Sequence, residues 1–292
     1  MSLESNKRNL STTHILVKMS FFTLITINYN HADGLRKTIE SVINQTYQDF
    51  QYIIIDGGST DGSVEVIKEY ADHIHYWISE PDNGIYHAMN KGISHSTADF
   101  LLFINSGDKL FDSTVLEKTV SSLNPNTEIA SGKIQLIANE KKTILSPPSV
   151  LSLYQSLYNS LTHPNTFIRR SLFEKYGYYN EQNKIVSDWE FFLRATGLND
   201  CRYQTLDFVV SEFYEDGVSS LNHQLAENET NVVINQLIPN AIQKDIQRLF
   251  QLETLMVEPA YLVLQRYSWV KNILRWIYKI NKKLNKFTHK TN

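Results

Sequence analysis

The chain has 292 residues, a formal net charge of −3, 42% hydrophobic and 20% charged residues, a balance that suits one large core or a core with a small appendage. No run of about 18 uncharged apolar residues occurs, so a membrane-spanning helix is not expected, and the N-terminus lacks the apolar stretch of a signal peptide. The single cysteine, Cys201, excludes an internal disulfide framework and a cysteine-based zinc cluster, and the cytoplasm is the expected compartment.

Residues 1–19 are polar and aperiodic and read as a flexible leader or a cloning remnant. The apolar run from Phe21 to Asn28 predicts a buried strand. Asp33 then caps a predicted helix with Leu35, Ile39, Val42 and Ile43 on one face. Tyr52 to Asp56 predicts a second buried strand, and Asp61 a cap for the helix that carries Val64 and Ile67. His73 to Ile78 reads as a third strand, residues 84–94 as a helix, and Phe100 to Asn105 as a fourth strand. Near-continuous apolar strands separated by helices imply a parallel sheet covered on both faces. Ligands of such sheets bind beyond the carboxyl ends of the strands. Those ends are Asn28-Tyr29-Asn30, Asp56-Gly57-Gly58 and Asn105-Ser106-Gly107-Asp108, so three polar clusters are expected to meet at one edge.

Ser131 to Ser146 predicts a hairpin about Asn139-Glu140. Helices are expected near Leu151 to Tyr158 and Val186 to Thr196, and a strand from Tyr203 to Tyr214. Residues 221–285 have helical character. A nucleotide pocket needs a flat face, which Tyr29 offers, and an acceptor for a base imino N–H, which Asp56 offers. Gly57 and Gly58 allow a close approach of backbone to ligand. Asp56 can also be read as a turn residue and Asp61 as a helix cap.

The segments TLITINYN, YIIIDGGSTDGS and EPDNGIYHAMNKGISHSTADFLLFINSGD, at 23–30, 52–63 and 80–108, resemble the inverting family-2 glycosyltransferases. The likeness continues more loosely to about Ser220. The resemblance implies an α/β GT-A nucleotide-diphospho-sugar transferase fold, a mostly parallel Rossmann-like sheet flanked by helices, over residues 20–220. A helical C-terminal extension over 221–292 would follow. The subgroup it looks most like serves bacterial exopolysaccharide, capsule and O-antigen assembly. It implies transfer of a sugar from a UDP-sugar to a saccharide or lipid-linked saccharide, with a divalent metal, Mn²⁺ or Mg²⁺, on the donor diphosphate.

Carried over by motif, donor contacts fall to Asn28, Tyr29, Asn30, Asp56, Gly57, Asp82, Gly84, Asn90, Lys91 and Ser106. Asp82-Asn83-Gly84 is also a good turn before a helix. The metal motif reads Asn105-Ser106-Gly107-Asp108 and departs from the usual Asp-x-Asp, because the first acid is replaced. Asp108 remains as the metal ligand, with His223 as a further metal or phosphate contact. Asp188, near the start of a predicted helix, takes the general-base role, and it also suits a helix cap. Ser187 stands where many relatives have an acid, so Glu190 is the candidate second carboxylate. His163 and Trp189 are expected on the acceptor side.

From Pro259 to Asn292 there are eight basic residues and no Asp or Glu, leaving 20 basic against 31 acidic residues elsewhere. Trp269, Ile273, Trp276, Ile277, Ile280 and Leu284 fall on one helical face and lysines and arginines on the other. That pattern suits a helix lying in an anionic membrane surface, placing the protein peripherally on the inner face of the cell membrane. A helix packed on the body or on a second copy fits the same apolar stripe. A sugar nucleotidyltransferase would want a Gly-rich basic loop after the first strand, and a dehydrogenase G-x-G-x-x-G; neither is present. No nucleic-acid partner is expected. A non-catalytic member of the fold, binding glycan or nucleotide, is the alternative that Asn105 leaves open.

Overall fold

The computed structural model describes residues 20–138, 141–158, 160–214 and 222–257. The predicted leader, the turn at Asn139-Glu140, the loop at Asp216 to Ser220 and the basic tail at 259–292 lie outside the described residues.

The first half alternates strand and helix as its apolar pattern dictates. The elements are β1 (Phe22–Asn28), α1 (Ala32–Ile43), β2 (Phe50–Asp56), α2 (Ser63–Glu69), β3 (Tyr76–Ser79), α3 (Ile85–Ser94) and β4 (Phe100–Phe103). β1 pairs in parallel with β2 and with β4, and β2 pairs in parallel with β3. The chain steps outward from β1 to β3 and returns to add β4 on the other side of β1. The crevice between β1 and β4 is therefore the topological switch point of the sheet.

The second half extends the sheet in mixed directions. It comprises β5 (Lys109–Leu110), α4 (Val115–Ser122), β6 (Ile129–Ala138), β7 (Lys141–Leu145), α5 (Leu153–Tyr158), β8 (Thr166–Arg169), α6 (Ser171–Tyr176), α7 (Ser187–Phe192) and β9 (Tyr203–Tyr214). The strand order is β3-β2-β1-β4-β8-β6-β9-β5, with β7 on β6. β8 runs antiparallel between β4 and β6, whereas β6 and β9 are parallel to each other. β6 and β7 form the expected hairpin, Ala138 facing Lys141.

Side-chain alternation along the parallel strands builds two cores. Leu24, Tyr52, Ile54 and Leu102 point to one face with Leu35, Ile39 and Ile67 of α1 and α2. Ile25, Ile53, Ile55, Leu101 and Phe103 point to the other with Met89, Phe173 and Phe191 of α3, α6 and α7. Each fully buried Leu, Ile or Phe here contributes about 1.5–3 kcal/mol of transfer free energy, and the buried Thr26 inside β1 is accommodated by its hydrogen bonds to Tyr52 and the Ile104 carbonyl.

Several boundaries differ from expectation for local reasons. Asp33 lies in the first turn of α1 and does not cap it. Asp61, across the loop, accepts the Ala32 N–H at 2.8 Å and the Ser63 N–H at 3.1 Å, so one carboxylate serves the starts of α1 and α2. β3 starts at Tyr76 because Ala71–His73 forms a 3-10 turn first. The helix expected at 186–196 is α-helical only to Phe192 and continues as a π-turn over Leu193–Gly197.

Contacts divide the chain into a unit of residues 1–231 and a second of 232–292. α8 (His223–Leu237) begins in the first, and α9 (Asn240–Val257) belongs to the second. No described helix is long and apolar enough to cross a membrane.

Candidate active site

The carboxyl ends of β1, β2 and β4 and the start of α3 enclose a cleft of about 700 Å³. Ile27, Asn28, Tyr29, Gly57, Gly58, Asp82, Gly84, Asn105 and Ser106 are among its lining residues. The three strand ends are stitched by backbone: the Gly57 N–H donates to the Asn28 carbonyl at 2.9 Å, and the Ser106 N–H to the Ile27 carbonyl at 3.1 Å.

Asp56 is the knot beneath this floor. It has no exposed surface. Oδ1 accepts Asn28 Nδ2 at 2.7 Å and the Ser59 hydroxyl at 2.6 Å. Oδ2 accepts the Ser59 N–H at 2.9 Å and the Ser79 hydroxyl at 2.6 Å. Burial by itself pushes its pKa up, but the bonds from Ser59, Ser79 and Asn28 outweigh it and hold the carboxyl below its ordinary value. Four donors fill the lone pairs of both oxygens. A ligand N–H can reach Asp56 only by displacing one of them.

Tyr29 stands over this floor with 67% of its surface exposed. Gly57 lies under it: a Cβ there would meet Asp82 Oδ2 at 2.7 Å and Tyr29 Cδ2 at 3.1 Å. The absence of a side chain at 57 therefore keeps the phenol and the Asp82 carboxylate close together. Asp82 Oδ1 accepts the Gly84 N–H at 2.8 Å, and Gly84 adopts φ 120°, the turn that launches α3 from the cleft wall. Asn30, with φ 49°, accepts the Thr60 N–H through Oδ1 at 2.8 Å and ties the β1 and β2 loops.

Asn90 and Lys91 point their polar atoms elsewhere. Asn90 clasps the Tyr179 backbone with both ends of its amide and donates to Glu181. Lys91 pairs with Glu80 at 2.7 Å. Neither is among the cleft-lining residues.

At the β4 end, Asn105 Nδ2 lies 3.0 Å from His163 Nε2, and His163 Nδ1 lies 3.1 Å from Asp188 Oδ2. His163 opens a short 3-10 turn, His163–Asn165, that leads into β8. Asn165 pins that turn to β6 by donating to the Gly132 carbonyl at 2.5 Å. Asp188 also accepts the Tyr86 hydroxyl at 3.0 Å and its neighbour's N–H, Trp189, at 2.9 Å, both through Oδ1. Burial first, then the Asp188 charge, pushes the Tyr86 pKa well up, so the phenol remains a donor. The side chains of His163 and Asp188 keep 16% and 18% of their surface exposed, so the pair is reachable.

Trp189 has its indole N–H on the Ser156 carbonyl at 2.9 Å. Glu190 is buried and accepts from Asn183 at 2.8 Å and Asn180 at 3.2 Å, with Arg194 beside it. It braces the stretch before α7 and does not join Asp188. Sequence reasoning did not single out Tyr86 or Glu229. Glu229 of α8 accepts the backbone N–H groups of Lys184 at 2.7 Å, Ile185 at 3.0 Å and Val186 at 3.3 Å. Only an acid facing inward on a polar helix signals it, and the sequence does not say which loop it meets.

Asp108 is buried, and its Oδ1 faces the Tyr214 N–H of β9 at 3.4 Å. His223 is exposed at the first residue of α8. Among the described residues no three His, Cys, Asp or Glu converge as a cage. Asp108 is not among the cleft-lining residues, although it follows Asn105 and Ser106, which are; a hard carboxylate of this kind suits a divalent ion whose other ligands are phosphate oxygens and water.

The glycosyl transferase family 2 model matches residues 23–177. An uncharacterized glycosyltransferase of Mycobacterium tuberculosis is 34% identical over 205 residues, covering 68% of this chain and 76% of the relative. Among solved structures, S. aureus TarS 1–349 in complex with UDP superimposes with TM-score 0.55 at 18% identity, covering 66% of this chain and 60% of that one. A Pyrobaculum calidifontis mannosyltransferase in complex with GDP-Man and Mn²⁺ superimposes with TM-score 0.52 at 13% identity, covering 87% and 84%. The sheet and its flanking helices are the GT-A-like fold of these proteins.

Proposed function

The chain belongs to glycosyl transferase family 2 and is a glycosyltransferase; from that premise we propose that it transfers a sugar from a UDP-sugar to a saccharide or lipid-linked saccharide, with inversion, in cell-surface polysaccharide assembly. One observation carries the reading: the cleft at the β1, β2 and β4 ends is linked through Asn105 and His163 to a reachable carboxylate, Asp188. The bound UDP in TarS favours a uridine donor here. The GDP-Man and Mn²⁺ of the mannosyltransferase support nucleotide-sugar use with a metal.

In this reading Tyr29 stacks on the base, while Gly57 and the Asp82 carboxylate receive the nucleoside. Asn28 and Asp56 keep the floor rigid, so no reorganisation is needed when the donor arrives. Asp108 would hold the divalent ion, with His223 as a further contact, and that ion would supply Lewis-acid stabilisation of the leaving diphosphate. Asp188 takes the proton from the acceptor hydroxyl. The freed electron pair attacks the anomeric carbon, the anomeric C–O bond to the diphosphate breaks, and its electron pair leaves with the diphosphate. Trp189 and His163 border the acceptor. The basic 259–292 segment keeps the enzyme at an anionic membrane surface, where a lipid-linked acceptor would be found.

Calorimetric titration of UDP, GDP and TDP with and without Mn²⁺, on the wild type and on Asp108→Ala, tests the donor assignment. UDP binding that needs both Mn²⁺ and Asp108 is the expected result. Equal binding of all three nucleotides, or none of any, refutes it. Asp188→Asn is expected to abolish transfer while leaving UDP binding intact.

A further inference from the structure

We propose that Asn105 and His163 form a positioning relay that makes Oδ2 of Asp188 the oxygen that receives the acceptor proton, an inference that rests on reading Asp188 as the base. Asn105 stands where the expected metal motif would have its first acid, and the structure gives that position another use. Its amide nitrogen can only donate, so His163 Nε2, 3.0 Å away, must accept. The ring proton then sits on Nδ1 and points at Asp188 Oδ2, 3.1 Å away. A carboxylate at 105 could not impose this polarity, because it has no hydrogen to give.

The bonds at Asp188 then distinguish its two oxygens. Oδ1 accepts the Trp189 N–H and faces the Tyr86 hydroxyl at 3.0 Å, whose single proton it shares with the closer Ile185 carbonyl at 2.5 Å, so both its lone-pair directions are occupied. Oδ2 accepts only His163 among the described residues, so one lone pair stays open. The acceptor hydroxyl therefore meets Oδ2. The ring holding that oxygen is fixed in turn by Asn165, through the pinned turn, and by Asn105. His163 thus acts through Asp188 and touches neither donor nor leaving group in this role.

Long-range ¹⁵N–¹H NMR on the full chain tests the relay, with His163→Gln assigning the signal among nine histidines. The wild type is expected to show the Nδ1-protonated tautomer at neutral pH, and Asn105→Asp to lose it. An Nε2-protonated ring in the wild type overturns the proposal. The second arm measures nucleotide release in water, using whichever of UDP-N-acetylglucosamine, UDP-glucose and GDP-mannose the wild type turns over. The amide nitrogen of His163→Asn overlays Nδ1 and keeps a donor toward Oδ2, whereas His163→Gln reaches only the Nε2 position. Losing one charge-assisted bond predicts a kcat roughly tenfold lower in His163→Gln than in His163→Asn, with donor KM unchanged in both. Equal kcat in the two variants, with Asp188→Asn inactive, overturns the positioning role. Full activity in Asp188→Asn overturns the base assignment instead.

Discussion

Removing the Glu229 carboxylate is expected to loosen the approach to Asp188 before it affects anything else. In Glu229→Ala, three backbone N–H groups at Lys184, Ile185 and Val186 lose their acceptor, at 2.7, 3.0 and 3.3 Å. A hydrogen bond to a charged group is worth about 1.5–3 kcal/mol. Water replaces part of this at a half-exposed carboxylate, and the 3.3 Å bond is the weakest. The whole latch is therefore worth about 1.5–3 kcal/mol rather than three times that. The same segment carries the Ile185 carbonyl that accepts the Tyr86 hydroxyl at 2.5 Å, so slack here reaches the phenol that holds Asp188 Oδ1. Native-state hydrogen exchange should show the 184–186 amides opening roughly 10–150-fold more often in Glu229→Ala. Glu229→Gln, which keeps a neutral acceptor, should fall between. Urea unfolding should shift its midpoint with an unchanged slope. Exchange at 184–186 identical to the wild type, with an unshifted midpoint, would refute the latch.

Asp56 titrates below its ordinary value in the fold, so its bonds contribute full stability at neutral pH. That contribution is lost as pH falls through the ordinary Asp range and then through the folded value. Urea midpoints measured from neutral to acid pH should therefore fall more steeply in the wild type than in Asp56→Asn, and parallel curves would contradict the assignment. Gly57→Ala drives a methyl between Tyr29 and Asp82. It should weaken UDP binding by about tenfold, near 1.4 kcal/mol, with thermal stability retained; calorimetry on the folded variant reads it. Deleting residues 259–292 should release the protein from phosphatidylserine-containing vesicles in a sedimentation assay while leaving UDP affinity unchanged. Equal sedimentation of the shortened chain removes the membrane role from that segment.

The parallel half of the sheet was legible because its signals are local. The runs at 22–28, 50–56 and 100–103 are dominated by apolar residues, and the first two end on Asn28 and Asp56, the pattern of buried parallel strands whose ends meet a polar cleft. The cleft at those ends follows from topology alone. β8 was not legible: Phe167-Ile168 is a short apolar pair that neither period nor length separates from a loop or a helix. Yet β8 pairs antiparallel with β4, and that pairing brings His163 to Asn105. α4 and α6 were missed for a similar reason, each being no longer than eight residues. Asp33 and Asp61 were both read as caps by local rules, and the structure gives both jobs to Asp61 because the loops after β1 and β2 lie side by side.

The side chains singled out by motif divide by what their hydrogen-bonding groups already do. A polar group whose capacity is used within the chain binds a ligand only by surrendering a bond of similar strength, so it gains little from binding. By that measure Asn90, Glu190 and Asp56 maintain the walls of the site: their partners are Tyr179 and Glu181, Asn183 and Asn180, and the Asn28-Ser59-Ser79 set. Among the described residues, open capacity lies at Asp188 Oδ2 and at the buried Asn28 and Asn105 amide oxygens, which have no hydrogen-bond partner, while the Tyr29 ring is exposed. Motif position alone does not separate these groups, because a residue that braces the site and one that touches the substrate are equally tied to the same loops. Hydrogen-bond capacity separates them, and it supports the proposed proton acceptance by Asp188, while the proposed stacking on Tyr29 rests on the exposure of its ring. It also implies that substitutions of Asn90 or Glu190 should impair the site through stability, with urea midpoint and activity falling together.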